Sequence, residues 1–219
     1  NMVIKELIPA CAAEQLADHV DVFCETNYFT VAEMARILEA GAAHGLPGKV
    51  HVNQFTSIGA IHEAVQHNCL SVDHLEVMTD ADFTALANSA TIPTLLPGCS
   101  FFLGIPYGPA RQLMANGNAV ALASDFNPGS SPSGNMNTVV SLACTQMKML
   151  PEEVINAATL NAAAAMGLSH ELGSLSVGKR ASFIITRPLH SPAALPYFFG
   201  SDGIDTVVIN GRITRAGEA

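Results

Sequence analysis

The chain has 219 residues, 49% of them apolar and 13% charged, and a formal net charge of −9. Such a composition supports a sizeable core and excludes a disordered chain, while the acidic balance argues against nucleic acid and anionic membrane surfaces as partners. No apolar run approaches the roughly 20 residues that span a bilayer, and Asn1-Met2-Val3-Ile4-Lys5-Glu6 shows no basic segment leading into an apolar one, so neither a membrane anchor nor a signal peptide is expected.

In chain order, residues 6–17 read as a helix and Val20 to Glu25 as a short strand. Thr30 is the N-cap of an alanine-rich helix running to about Gly45. Lys49 to Asn53 is a strand, Ile58 to Asn68 a helix, Leu70 to Leu75 a strand, and Thr79-Asp80-Ala81-Asp82 opens a helix with acidic residues in its first turn. Ile92 to Leu96 is a strand, Pro97 to Ser100 a loop, Ala110 to Gly117 a helix and Ala119 to Ser124 a strand buried on both faces. Helices over about 136–149 and 151–166 follow. Regular alternation of strand and helix predicts parallel strands with crossover helices.

After Gly167 the texture changes. Ser182 to Thr186 and Asp205 to Ile213 are β-rich, and Asn210-Gly211 marks a hairpin turn. The division predicted is therefore residues 1–168, part of an α/β barrel, and 169–219, strands of a small β-domain too few to stand alone comfortably. Five cysteines (Cys11, Cys24, Cys69, Cys99, Cys144) lie scattered without a Cys-x-x-Cys pair, which predicts free thiols, a reducing cytoplasmic setting and no cysteine-based metal site.

The C-terminal strand ends carry the chemistry. They hold Glu25, His51, His74 and Asp125, and in barrels of alternating strands and helices such ends surround the site. Asp125 stands where an apolar run breaks into Phe126-Asn127-Pro128-Gly129-Ser130-Ser131, and a carboxylate there needs a cation, a metal or several donors. Imidazole and carboxylate are preferred ligands of zinc and iron. Singly, His51 or His74 reads equally well as a hydrogen-bonded core histidine, and Asp125 as a loop or cap residue; their joint placement favours a site. His19, His44, His62, His67, His170 and His190 read as surface residues.

Four strings, Lys49-Val50-His51-Val52-Asn53-Gln54, Ser71-Val72-Asp73-His74-Leu75, Leu96 to Gly104 and Ser124 to Pro132, resemble imidazolonepropionases of the amidohydrolase superfamily. The resemblance runs through nearly the whole chain, including Asn161-Ala162-Ala163 and the turn from Gly173 to Ala181. The Asp-Phe-Asn-Pro-Gly-Ser string is its most specific part.

The resemblance implies roughly strands 4–8 of an eight-stranded barrel, joined to part of a β-sandwich. It implies hydrolysis of the imidazolone ring of 4-imidazolone-5-propanoate to N-formimidoyl-L-glutamate, in histidine degradation, with one zinc or iron ion. His51 and Asp125 match metal ligands; His74 matches a residue that polarises the substrate carbonyl or handles protons; Asn127, Gly129 and Ser130 match substrate contacts. Gln54 falls where many members carry a glutamate, and an amide can bond the ring but cannot act as a base. The superfamily's His-x-His pair occurs nowhere in the sequence, so this chain is expected to bind metal weakly, to be inactive alone, and to self-associate, as a dimer, through open barrel edges. Two other readings stand beside this one: another amidohydrolase or deaminase, against which the Asn127-to-Ser130 loop argues, and a catalytically silent assembly or binding module.

Overall fold

A computed structural model describes residues 1–215; the last four residues of the second predicted segment lie outside the described residues. A π-helical turn over Val3–Leu7 leads into α1 (Ile8–Ala13), followed by β1 (Val20–Cys24), α2 (Val31–Ala43), β2 (Gly48–Val52), α3 (Ala60–Gln66), β3 (Ser71–His74), α4 (Asp80–Ala87) and β4 (Ile92–Leu95). Then come α5 (Pro97–Leu103), α6 (Ala110–Ala115), β5 (Ala121–Leu122), α7 (Met136–Thr145), α8 (Pro151–Asn156), a π-helical turn over Ala157–Asn161, and α9 (Ala162–Ala165). The chain closes with β6 (Phe183–Thr186), α10 (Ala194–Tyr197), β7 (Ile204–Ile209) and β8 (Arg212–Arg215). No helix among the described residues is long and apolar enough to cross a membrane.

Two compact units emerge, the first formed by residues 1–95 and 112–120, the second by 96–111 and 121–215 of the described chain. This cut follows packing; the predicted division after residue 168 follows the change from alternating elements to antiparallel strands.

In the first unit β1, β2, β3 and β4 pair in that order, all parallel. Side chains alternate across a strand, and here the alternation separates two chemistries. Val20, Val22, Cys24, Val50, Val52 and Leu95 are buried on one side. Asp21, Lys49, His51, Ser71 and Asp73 share the other, with Asp21 opposite Lys49 and His51 opposite Asp73 in the ladder. The helix α2 buries Met34, Ile37, Leu38 and Gly41, the spacing of one helical face. A Cβ on Gly41 would lie 2.5 Å from Val20 Cγ1, so glycine is what lets α2 sit this close to β1. Thr30 caps α2 with a full capping box: its hydroxyl accepts from Glu33 N (3.3 Å) and Glu33 Oε2 accepts from Thr30 N (2.9 Å). Thr79 and Asp82 repeat the device at α4.

In the second unit the helices α7 to α9 pack with α5 and β5, and β6-β7-β8 form an antiparallel sheet. Asn210 (φ 50°) and Gly211 (φ 76°) make the predicted hairpin turn between β7 and β8, both in the left-handed region that such a turn demands.

Two sequence expectations are corrected here. The Pro97–Ser100 stretch is the first turn of a helix, because proline is well suited to the first helical position, where its missing N–H costs nothing. The strand expected over 119–124 is only Ala121–Leu122. The chain leaves extended geometry at Asp125 (φ 52°), and the Ser124 carbonyl is taken by Ser131 Oγ at 2.7 Å instead of by a neighbouring strand. Helix ends also shift: α1 stops at Ala13, not 17, and the 151–166 helix contains a π-helical turn.

Candidate functional site

The first unit carries His51, Gln54 and His74; the second carries Asp125, Asn127, Gly129 and Ser130. Each half is organised around backbone that turns left-handed where a strand ends. Asn53 (φ 57°), His74 (φ 89°), Leu75 (φ 69°) and Asp125 (φ 52°) all occupy a region that residues other than glycine rarely enter, and such backbone concentrates at functional sites.

His51 sits within a polar cluster. Its Nδ1 lies 3.0 Å from Asp21 Oδ1 and its Nε2 4.0 Å from Asp73 Oδ2. Asp73 in turn accepts from Ser71 Oγ (2.7 Å) and faces Lys49 Nζ (3.8 Å), which also donates to Ser71. The charge and bonding of His51 hold the Asp21 carboxyl below the usual carboxylate range, outweighing the burial that would raise it. A carboxylate on one ring nitrogen fixes the tautomer and makes the other nitrogen a better metal ligand. The donor set around His51 therefore fits the histidine of a zinc or iron site, with Asp21 in the supporting position. The His74 ring stands edge-on to His51, centroids 5.6 Å apart. His74 is almost wholly buried, and its Nδ1 is 3.5 Å from Glu76 Oε1.

Gln54 is buried in the loop that follows β2. The loop is pinned from both sides. Glu25, at the end of β1 and 2% exposed, accepts from Thr26 N (2.8 Å), Phe55 N (2.9 Å), Thr56 N (3.1 Å) and the Thr56 hydroxyl. Burial pushes the Glu25 carboxyl up, but these donors hold it below its ordinary value. From α4, Asp82 accepts from Ser57 Oγ (3.0 Å) and Asn53 Nδ2 (3.2 Å), and Asn53 Nδ2 also reaches the Val77 carbonyl (2.8 Å).

In the second unit, the 125–131 loop is folded around Asn127. Its Oδ1 accepts from Gly129 N and Ser130 N, each at 2.8 Å, and its Nδ2 donates to the Asp125 carbonyl (2.7 Å) and Ser130 Oγ (2.9 Å). Ser130 Oγ also lies 3.3 Å from Asp125 Oδ2, which is half-buried. Asn127 is thus the core of its own loop, and it places Asp125 and Ser130 beside each other.

Sequence reasoning did not single out Asp21, Lys49, Glu76 or Asp82. For two of them the signal was present as period-2 alternation: Asp21 in Val20-Asp21-Val22, and Lys49 two residues before His51 on the same strand face. Of the histidines read as surface residues, His44, His62, His170 and His190 are exposed, while His19 and His67 are half-buried; His67 pairs with Glu63 one turn back (3.1 Å).

A model described as the amidohydrolase family matches residues 16–214, and the chain belongs to that family. It is 54% identical over 213 residues to the imidazolonepropionase of Christiangramia forsetii, covering 97% of this chain and 52% of that protein. With the imidazolonepropionase of Flavobacterium johnsoniae the identity is 55% over 211 residues, 96% and 51% of the two chains. The chain thus spans about half the length of these relatives. Among solved structures it resembles zinc-complexed atrazine chlorohydrolase TrzN from Arthrobacter aurescens TC1 (TM-score 0.82, 16% identity, 98% of this chain and 56% of that one). It also resembles an adenosine deaminase from Xanthomonas campestris with bound zinc (TM-score 0.78, 19% identity, 95% and 56%). At these identities the two structures establish the fold alone: this chain is α/β, part of a barrel of the amidohydrolase type with a β-sheet piece.

Proposed function

We propose that this chain is the C-terminal portion of an imidazolonepropionase. The whole enzyme would hydrolyse a ring C–N bond of 4-imidazolone-5-propanoate to give N-formimidoyl-L-glutamate. The observation that carries this reading is identity of 54–55% to two imidazolonepropionases over nearly the full chain; the deaminase and chlorohydrolase likenesses are three times weaker in sequence. Residues 1–168 are the barrel part and 169–219 the β-domain part in this reading.

His51 and Asp125 are assigned to the metal, zinc or iron. The zinc-bound structural neighbours and the Asp21-backed imidazole support a metal, and neither selects between the two. Such an ion, when bound, supplies the Lewis acidity that makes water a nucleophile near neutral pH. The protein residues then divide the remaining work. Asp125 takes a proton at its carboxylate, with Ser130 beside it. His74 handles a proton or polarises the substrate carbonyl. Gln54, buried and lacking a titratable oxygen, binds and orients the ring and leaves proton transfer to the other two. Asn127 shapes the loop that presents Gly129 and Ser130 to substrate.

Catalytic zinc sites have three protein ligands as a rule, and this reading assigns two residues of this chain to the metal, so the isolated chain is expected to turn over no substrate. Supplying the N-terminal half of the Christiangramia forsetii relative, fused or co-expressed, should restore turnover together with one bound metal per complex. Asp125→Ala in that complex should abolish it, and an Asp125→Ala complex with full activity would refute the assignment. Besides the metal ion, the ligand this reading requires is the small-molecule substrate. Self-association, as a dimer, goes with it: Ile184, Ile185, Ile209 and Ile213 of the β6–β8 sheet are exposed. A cytoplasmic setting matches the free thiols.

A further inference from the structure

His74 and Glu76 leave β3 through an unusual piece of backbone. His74 (φ 89°) and Leu75 (φ 69°) are both left-handed, and the side chains of His74 and Glu76, two residues apart, meet beside this turn. The segment is held on either side of Glu76: Leu75 N donates to Val52 O (3.4 Å), and Val77 N donates to Asn53 O (2.9 Å). The Leu75 side chain is wholly buried and anchors the turn. Little freedom remains for either partner, since the His74 side chain is 4% exposed and that of Glu76 1% exposed, with Nδ1 and Oε1 at 3.5 Å.

We propose that Glu76 is a positioning residue that fixes His74 as the Nδ1–H tautomer, leaving the lone pair on Nε2. A carboxylate is an acceptor only, so the nitrogen facing it carries the hydrogen. The other nitrogen of a neutral ring then has a lone pair and no hydrogen. The inference rests on the function proposed above only for its consequence, which is a choice between the two roles left to His74. A neutral ring in this tautomer cannot donate from Nε2 to a substrate carbonyl. It accepts a proton there first, and the resulting imidazolium faces the Glu76 carboxylate, the same logic that orients the histidine of a hydrolase triad.

The test needs neither substrate nor metal. The chain is labelled with 15N-histidine, and long-range 1H–15N correlation spectra identify the protonated nitrogen of each ring; His74 is assigned by the signal lost in His74→Gln. The expected result is a pyrrole-type Nδ1 and a pyridine-type Nε2 for His74. An Nε2–H tautomer in the unsubstituted chain would overturn the proposal without recourse to any variant at Glu76. Glu76→Gln keeps an acceptor oxygen and should preserve the tautomer, whereas a folded Glu76→Leu should exchange the two nitrogen types. An unchanged tautomer in Glu76→Leu would also overturn it. A complemented enzyme that fails to hydrolyse imidazolone, with the tautomer as expected, would count against the proposed function and leave this inference standing.

Discussion

Replacing Glu25 by glutamine tests how the Gln54 loop is held. The carboxylate accepts four hydrogen bonds, two on each oxygen: Thr26 N and the Thr56 hydroxyl on Oε1, Phe55 N and Thr56 N on Oε2. Glutamine keeps the volume but turns one acceptor oxygen into an NH2 group. If that group replaces Oε1 it can donate to the Thr56 hydroxyl, yet the Thr26 N–H loses its partner and the remaining bonds lose their charge. A hydrogen bond to a charged group contributes about 1.5–3 kcal/mol, so the expected cost is about 2–4 kcal/mol. At about 1.4 kcal/mol per tenfold, native-state hydrogen exchange at the Phe55 and Thr56 amides should accelerate roughly thirtyfold to several hundredfold. Amides of β4, away from the loop, should change far less. The sign of the pH dependence follows from the lowered Glu25 carboxyl. A depressed folded value means that the stabilisation is complete above the unfolded value and is lost as pH falls through the folded one. The deficit of Glu25→Gln against the unsubstituted chain should therefore be full at pH 7, begin to shrink only below the ordinary carboxylate value of about 4.3, and vanish below the depressed folded value. Exchange at Phe55 and Thr56 within about threefold of the unsubstituted chain at pH 7 would refute the clamp.

The remaining predictions are simpler. Asn127→Ala removes both ends of an amide making four bonds within its loop; exchange at Gly129 and Ser130 should rise, and in the complemented enzyme turnover should fall at least about tenfold, while wild-type turnover would show that the loop holds its shape without it. Gly173→Ala puts a Cβ 2.8 Å from Ala163 Cβ and 3.0 Å from the Thr159 carbonyl at φ +86°, and urea denaturation should show a loss of about 2 kcal/mol or more. Burial raises the Cys24 thiol to about 11 and the Cys69 thiol to about 12, so alkylation of the native chain near neutral pH should spare both and label the half-buried Cys11 first, as read by peptide mass spectrometry. Light scattering should give a mass near twice 22.9 kDa, and a clean monomer would count against the proposed dimer.

Local signals served the fold well where side-chain chemistry decides the backbone. Thr30 stood out as an N-cap and Thr79 to Asp82 as a helix start with acidic residues in its first turn, and both threonines close a capping box with the carboxylate three residues on. Asn210-Gly211 stood out as a turn because few other pairs tolerate two left-handed residues, and both are left-handed. The apolar run before Asp125 misled, since hydrophobicity marks burial but not ladder pairing; Ala121 and Leu122 are buried and paired, and the pairing stops there. At the site, His51, His74 and Asp125 were legible as strand ends, but their partners depend on register. Asp21 meets His51 across β1 and β2, Asp82 reaches Asn53 from α4, and the Glu76–His74 pair sits at two left-handed residues that nothing in Asp73-His74-Leu75-Glu76 announces.

The loop that bears Gln54 owes its shape to neighbours. The Phe55 and Thr56 amides answer to Glu25, and Ser57 and Asn53 answer to Asp82, so carboxylates on two other elements hold the backbone on either side of position 54. Such an arrangement works as a socket. The fitting keeps its form when the occupant changes, but the occupant is itself buried, so a carboxylate placed there must give up its water. Gln54→Glu should therefore leave exchange at the Phe55 and Thr56 amides nearly unchanged while lowering global stability in urea denaturation by about 1 kcal/mol or more, the cost of burying a charge.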